Sequence, residues 1–441
     1  GADNIDSSLW RETWESTTVT FNGQNYSGYK PNGMLSNPDL KWETTISRNI
    51  GLDFGFFGNR LSGTIDAYWN TTKDLLMCIP IDETTGYSYQ YQNIGQTSNK
   101  GIEIALNYDI VRTKDFTFGI SATYNYNHNN IDELADNIIA QYGSQWASSA
   151  TTPTYDYEFR EGKPVGLIRG YICDGYYTTA DFNYDPATKT YTLKPGVADL
   201  GNQVGNYPSH YNLPEGQKAF PGAVKLRDLD GNGVADTEDV ADLGEITHPH
   251  TGGFNLNMTW KDIDFSAGFA WAAGGHVYNV NSLINMYGNK DTGAGANKLE
   301  FISDCYQIYD IQNGELVPVV EPDALDALNT GAKYGVPYME NGTVLSTFVE
   351  DASFLRLNTL TVGYTFPKAW TKKIGMQRAR VYATAGNLFT ITGYSGIDPE
   401  VNADPNRSTT AANTGNYPLL GMDYGTYPRA RTFTFGVNIT F

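Results

Sequence analysis

IGLDFGFFGNRLSGTIDAYWN, Ile50 to Asn70, swings between apolar and polar along its length. Ile50, Leu52, Phe54 and Phe56 fall on one phase, with Gly51, Asp53 and Gly55 on the other. Successive side chains of a strand point to opposite faces, so this period predicts a strand with one apolar face. Gly58-Asn59-Arg60 supplies a short turn. Leu61, Ile65, Ala67 and Trp69 then alternate against Ser62, Thr64, Asp66 and Asn70. Two such runs joined by a few turn-forming residues predict a β-hairpin.

The pattern recurs along the chain. GIEIALNYDI sets Ile102, Ile104, Leu106, Tyr108 and Ile110 against Glu103, Asn107 and Asp109, and turns at Arg112 to Asp115 into FTFGISATYNYN. FNLNMTW (Phe254 to Trp260) turns at Lys261-Asp262 into IDFSAGFAW. LRLNTLTVGYTF, ARVYATAGN and RTFTFGVNITF follow, the last reaching Phe441. TWESTTVTF, Thr13 to Phe21, reads as one more partial strand. Without it the count is roughly nine strands, with uncertain ends. Turns within a pair are short. Connections between pairs are long: Thr71 to Asn99, Asn127 to Thr251, Gly274 to Asp351 and Leu388 to Arg431.

Short turns on one rim and long loops on the other predict an all-β transmembrane antiparallel barrel with long extracellular loops. A soluble sandwich would not sort its connections this way. Asp66, Glu103 and Asp109 lie on the polar phase, where a watery lumen tolerates them and a filled core does not. An aromatic final residue suits a membrane interface.

Composition agrees. The 441 residues carry a formal net charge of −19, with 13% aromatics, 31 Tyr and 46 Gly. Nucleic acid is not an expected partner, because its binders present a basic face. The mean hydropathy is −0.41, and no apolar run is long enough for a membrane helix. Cys78, Cys173 and Cys305 are odd in number and far apart, which fits neither a disulfide framework nor a zinc site. The residues preceding the first alternating run have no signal-peptide pattern.

Several of these stretches resemble one family. NPDLKWETTISRNIGLDFGFFGNRLSGTIDAYWNTTKDLL (Asn37 to Leu76) and NKGIEIALNYD (Asn99 to Asp109) are similar to recurrent stretches of the SusC/RagA-type TonB-dependent transporters of Bacteroidetes outer membranes. So are EGKPVGLIRGYICDGYY (Glu161 to Tyr177), KLRDLDGNGVADTEDVADLGEITHPHTGGFNLNMTW (Lys225 to Trp260), FVEDASFLRLNTLTVGYTFP (Phe348 to Pro367) and ATAGNLFTITGYSGIDPEV (Ala383 to Val401). The resemblance implies a 22-stranded barrel in the bacterial outer membrane, plugged by an N-terminal domain. It implies a SusD-like surface lipoprotein as lid, energy from the TonB complex through an N-terminal motif, and oligosaccharide or oligopeptide cargo. Residues 1–441 resemble the C-terminal portion of that barrel. The plug and the TonB-contacting motif are not found in this sequence, so strands and a plug are expected upstream of Gly1. A self-contained passive porin-like or adhesin barrel is the alternative, and a soluble glycan-binding β protein a second.

DLDGNGVADTED, Asp228 to Asp239, is the sharpest local motif. Asp228, Asp230 and Asn232 stand at positions one, three and five, Gly233 at the sharp turn, Val234 with its carbonyl at seven, Asp236 at nine and Asp239 at twelve. This is EF-hand-like spacing for Ca2+, a hard cation that takes six to eight oxygens. Asp at twelve weakens the bidentate grip, and FPGAVKLR before the loop reads as extended rather than helical. The same residues make ordinary turns, so a structural ion and an ion-free turn both remain readings.

Aromatic loops are candidate cargo contacts, since rings stack on sugars and their polar edges bond peptides. GYSYQYQN offers Tyr87, Tyr89 and Tyr91 on one face if extended; SQWASSATTPTYDYEF offers Trp146, Tyr155 and Tyr157. For any single one of them, loop packing or an interfacial girdle is the favoured reading. His248 and His250 would chelate only if extended, and Pro249 favours a loop. Asp323 and Asp326 form the carboxylate pair a glycosidase needs, but such pairs are common by chance among 49 acids. No Gly-x-Ser-x-Gly, HExxH or phosphate loop appears. The expectation is a protein that is not an enzyme.

Overall fold

The computed structural model describes residues 9–441 except 10, 13, 32, 88, 135–139, 143–150, 153–156, 206–209, 287–299, 340–341, 402–420 and 424. Its largest element is a ten-stranded antiparallel sheet. The strands are β1 (Thr44–Ile46), β2 (Asn49–Phe56), β3 (Leu61–Lys73), β4 (Gln96–Arg112), β5 (Phe116–Glu133), β6 (His250–Trp260), β7 (Ile263–Ala273), β8 (Phe354–Thr365), β9 (Arg378–Thr392) and β10 (Thr432–Thr440). β1 and β2 both pair with β3, so they occupy one position in two pieces. From β3 onward every strand pairs with its neighbours in sequence, giving the up-and-down order of a barrel wall.

The expected strands therefore form, and most run longer than the alternation alone suggests. One expectation needs correcting. Trp14–Phe21 is a strand, but it pairs with Gln24–Pro31 across an Asn22-Gly23 turn, outside the ten-stranded sheet. Its period matched that of the wall strands; only the pairing separates them.

The two faces of the wall differ as the alternation requires. Ile50, Leu52, Ile102, Leu106, Phe433 and Val437 are exposed on one face. Threonines, asparagines and acids line the other. Backbone groups inside the sheet are satisfied by the ladder itself. No helix among the described residues is long and apolar enough to cross a membrane.

The rims differ too. Residues 57–60, 113–115, 261–262 and 366–377 make the near-side turns. Asn59 (φ 62°) and Lys261 (φ 53°) adopt the left-handed backbone that tight hairpins favour. Exposed Phe56, Phe57, Trp260 and Trp370 cluster at this rim, where an aromatic girdle would lie. On the far rim run residues 74–95, 134–249, 274–353 and 393–431.

The hydrophobic core lies in those far-rim connections rather than in the sheet. Tyr171, Tyr177, Tyr191, Leu200, Phe220 and Leu283 are fully buried there in one cluster. A four-stranded sheet of Ala140–Tyr142, Tyr157–Phe159, Leu167–Gly170 and Ala241–Glu245 frames part of it. Backbone bonds tie it to the wall: Ile131 donates to Lys163, and Asn127 to Pro249.

Candidate functional site

Register brings polar residues of four wall strands into a row. Asp66 of β3 lies directly opposite Glu103 of β4. Glu103 lies opposite Asn125 of β5, and Asn125 opposite Thr251 of β6. All four border a recess of about 270 Å³ on the polar face. Like charges directly opposed across strands repel, and neither carboxylate has an ion pair among the described residues. The row is therefore a hydrogen-bonding surface bearing two carboxylates, and Arg48 borders the adjoining recess with both of them. One step toward the far rim, the Tyr68 hydroxyl donates to Asn127 Oδ1 at 2.9 Å. Tyr68 lies over Gly101, where a Cβ would collide with its hydroxyl. Asn127 and Asn129 both donate to Asn99 Oδ1, at 3.2 and 3.0 Å.

At the far rim an ion cluster clamps the last connection to the wall. Arg356, on the polar phase of β8 and 2% exposed, donates to both oxygens of Asp398 at 3.1 and 2.6 Å. Glu400 lies 3.0 Å from Arg356 and 3.3 Å from Arg429. Two arginines thus face two carboxylates, a balance that burial demands. A second cluster, in the loop assembly, joins Arg160, Lys163 and Arg169 to Asp242. Partial burial pushes the Asp242 carboxyl up, but the Lys163 hydrogen bond and the Arg169 and Arg160 charges outweigh it and hold it below the usual range.

The acidic loop lies between the extended strand Val224–Leu226 and the short 3-10 turn Thr237–Asp239. Gly231 and Gly233 adopt positive φ, the backbone that lets the loop fold on itself. Asp228, Asp230 and Asp239 each bring a carboxylate oxygen within 4.8 Å of the others. Asp239 is fully buried and accepts from the amides of Leu229 and Asp236, at 2.5 and 2.8 Å. The Gly233 amide, the strongest influence, holds the Asp228 carboxyl below its ordinary range.

Asp236 does not join that trio. It caps the 3-10 turn by accepting from the Glu238 amide at 2.8 Å, and its other oxygen accepts from Asn232 Nδ2 at 2.9 Å. Asn232 Oδ1 accepts from the Val234 amide at 2.8 Å. Three hard oxygen donors fit a cation of the calcium type in chemistry. Asp236 and Asn232 are engaged in holding the loop's shape.

The aromatic candidates separate. Tyr87 donates to Glu12 at 2.6 Å. Tyr89 and Tyr91 alternate in the strand Tyr89–Asn93, between Met34–Leu35 and Leu76–Pro80, and both are half-buried. Tyr157 is 4% exposed and packs in the loop core. It presents no open ring face, because the surrounding cluster buries it. Trp146 and Tyr155 lie outside the described residues. His248 and His250 part company: His248 Nε2 meets the Ala352 carbonyl, whereas His250 Nδ1 meets the Tyr124 hydroxyl. Asp326 accepts from Thr179 at 2.7 Å on an exposed helical turn.

The wall row and the Arg356 cluster were not among the sequence candidates. Their one advance signal was polar phase within alternating strands; their pairing needs the register.

A family profile described as TonB dependent receptor-like, beta-barrel matches residues 12–216. TonB-dependent receptor P3 of Formosa agariphila is 31% identical over 92% of this chain, and the match covers 35% of that protein. TonB-dependent receptor SusC of Bacteroides thetaiotaomicron is 29% identical over 94% of this chain, covering 33% of that protein. The chain thus spans about a third of the curated relatives it matches. These relatives are named as receptors, not enzymes. In fold, the chain superposes with a TM-score of 0.66 on a chain of the RagAB peptide transporter at 23% identity, covering all of this chain and 39% of that one.

Proposed function

We propose that residues 1–441, which are similar to the TonB-dependent receptor-like β-barrels of the outer membrane, form the C-terminal portion of a SusC/RagA-type importer. A plug and further wall strands encoded upstream would complete the barrel. The TonB complex would drive the plug's displacement, and a SusD-like surface lipoprotein would lid the far rim. The cargo would be an oligosaccharide or oligopeptide.

The observation that carries this reading is the wall's two faces. Its exposed apolar face suits lipid. Its inner face carries Asp66, Glu103, Asn125 and Thr251 in a row. Carboxylates, amides and hydroxyls can bond sugar hydroxyls or peptide groups with equal ease. The row's negative charge favours neutral or cationic cargo, or a basic face of the plug. Tyr87, Tyr89 and Tyr91 remain candidate far-rim contacts through the edges they expose.

Native mass spectrometry of the detergent-extracted particle tests this directly. A mass far above the 48.7 kDa of this chain, resolving into an upstream segment and a lipoprotein, supports the importer. A lone folded 48.7 kDa species overturns it in favour of a self-contained passive barrel. A chain that extracts without detergent overturns both in favour of a soluble glycan-binding protein.

A second reading concerns the acidic loop. Asp228, Asp230 and Asp239 would hold a calcium ion, which would neutralise their charge and order the loop within the far-rim assembly. Its support is the convergence of three carboxylates within 4.8 Å. Terbium luminescence and hydrogen exchange check it: metal removal should raise exchange across 228–239, and Asp239→Asn should abolish the metal effect. Exchange indifferent to metal overturns the calcium reading.

A further inference from the structure

Within the connection 274–353, Tyr309–Gln312 and Glu315–Pro318 pair as a small ribbon. Asn313 (φ 53°) and Gly314 (φ 86°) close it in the tight turn such hairpins favour. The register sets Ile311 opposite Leu316 and Tyr309 opposite Pro318, so these four share one face. Tyr309 rests its ring on His210, with centroids 4.9 Å apart. Beyond it the tip is bare: Ile311 is 72% and Leu316 70% exposed. Asp310, Gln312 and Glu315 stand on the reverse face.

Two large aliphatics paired at the tip of a hairpin are an unusual thing to leave in water. The charge around them says what covers them. Residues 300–326 hold seven carboxylates and no Lys or Arg. Asp304 is matched by Lys333 at 2.7 Å, but Asp310, Glu315 and Asp323 have no ion pair among the described residues. An anionic lipid surface would repel such a tip. A protein with an apolar socket and a basic rim would attract it.

We infer that this ribbon is a docking finger for the surface lipoprotein, seating Ile311 and Leu316 in an apolar socket rimmed by Lys or Arg. The inference rests on the importer reading above and adds the surface through which that partner is held. Both side chains enter one socket, so truncating them together should remove a hot spot. The rim charges add attraction that salt weakens.

The test uses the full-length receptor co-produced with its lipoprotein and purified in detergent. Heat-modifiable mobility serves as the control for a folded barrel. The double variant Ile311→Ser/Leu316→Ser should bind the lipoprotein at least about tenfold more weakly. Asp310→Lys/Glu315→Lys should weaken binding less and remove part of its salt dependence. A photo-crosslinking residue in place of Ile311 should label the lipoprotein. Unchanged affinity in the serine variant, or crosslinks to a second receptor copy or to lipid, overturns the finger; retention of lipoprotein by the unaltered receptor then leaves the partner reading standing. An unaltered receptor that retains no lipoprotein overturns both.

Discussion

Phe435 and Phe220 are the same side chain under opposite rules. Phe435, on the wall strand β10, is 80% exposed, while Phe220, in the loop assembly, is 1% exposed. The wall turns its apolar residues outward and its polar ones inward, and it gains stability from ladder hydrogen bonds and from whatever coats it. The loop assembly follows the ordinary logic of a protein in water, with an apolar cluster inside and charges outside. One chain is built for two solvents, and the boundary is the far rim, where Asn127, Ile131 and Arg356 join the regions.

The two regions should melt separately. Phe220→Ala should cost the loop assembly about 3–5 kcal/mol. Hydrogen exchange should then rise across 157–246 while the wall keeps its heat-modifiable mobility. Loss of both at once would mean a single cooperative unit. Arg356→Met should have an effect of similar order, about 3–5 kcal/mol, because Asp398 is left buried with Arg429, 3.9 Å away, as its remaining ionic partner among the described residues. Its signature is local: proteolysis within 393–401 should rise before any change elsewhere. If Arg356→Met leaves that segment protected, the cluster is not what joins the regions.

The wall is probed by Leu106→Arg, on the exposed apolar face of β4. In a bilayer this should cost about 2–4 kcal/mol if the site lies near the midplane. An arginine at exposed Ile311 should cost the fold almost nothing. A smaller effect comes from pH. Asp242 and Asp174 have carboxyls held below the usual range, Asp174 chiefly by the Arg227 hydrogen bond. Their contribution is present at neutral pH and is lost as pH falls from about 4 downward. Acid should therefore loosen the loop assembly ahead of the wall, as hydrogen exchange at stepped pH would register.

The smallest effect is a silence. Burial, with a lesser push from Asp304, raises the Cys305 thiol to about 11. Below about pH 9 its proton is retained in both states, and the associated stability is lost only as pH rises through about 11. Thiol reagents at pH 8 should barely label Cys305 until the loop core opens.

Much of the wall was legible in the sequence. Leu52, Ile65, Ile102 and Phe435 announced an outward face by period alone, and the turn at Lys261-Asp262 was visible as written. Register was not. Nothing in Asp66 or Glu103 says that they oppose one another, because a slip by one residue would reverse the faces yet leave each strand's own period intact. The burial of Tyr157 was not legible for a related reason: a short aromatic strand looks the same buried or bare. The acidic loop was legible in spacing, but the part Asp236 plays as cap of the turn beside it was not.

The asymmetry of the rims bears on how such a protein can change over generations. A longer connection adds closure entropy only as the logarithm of its length, and a far-rim insertion disturbs neither the register nor the faces of the wall. Lengthening the turn at 261–262 offers no such freedom, because its two residues fix how β6 meets β7. Variation is thereby channelled to the rim that meets the outside world. A lineage can rewrite its far-rim segments repeatedly while inheriting the same wall.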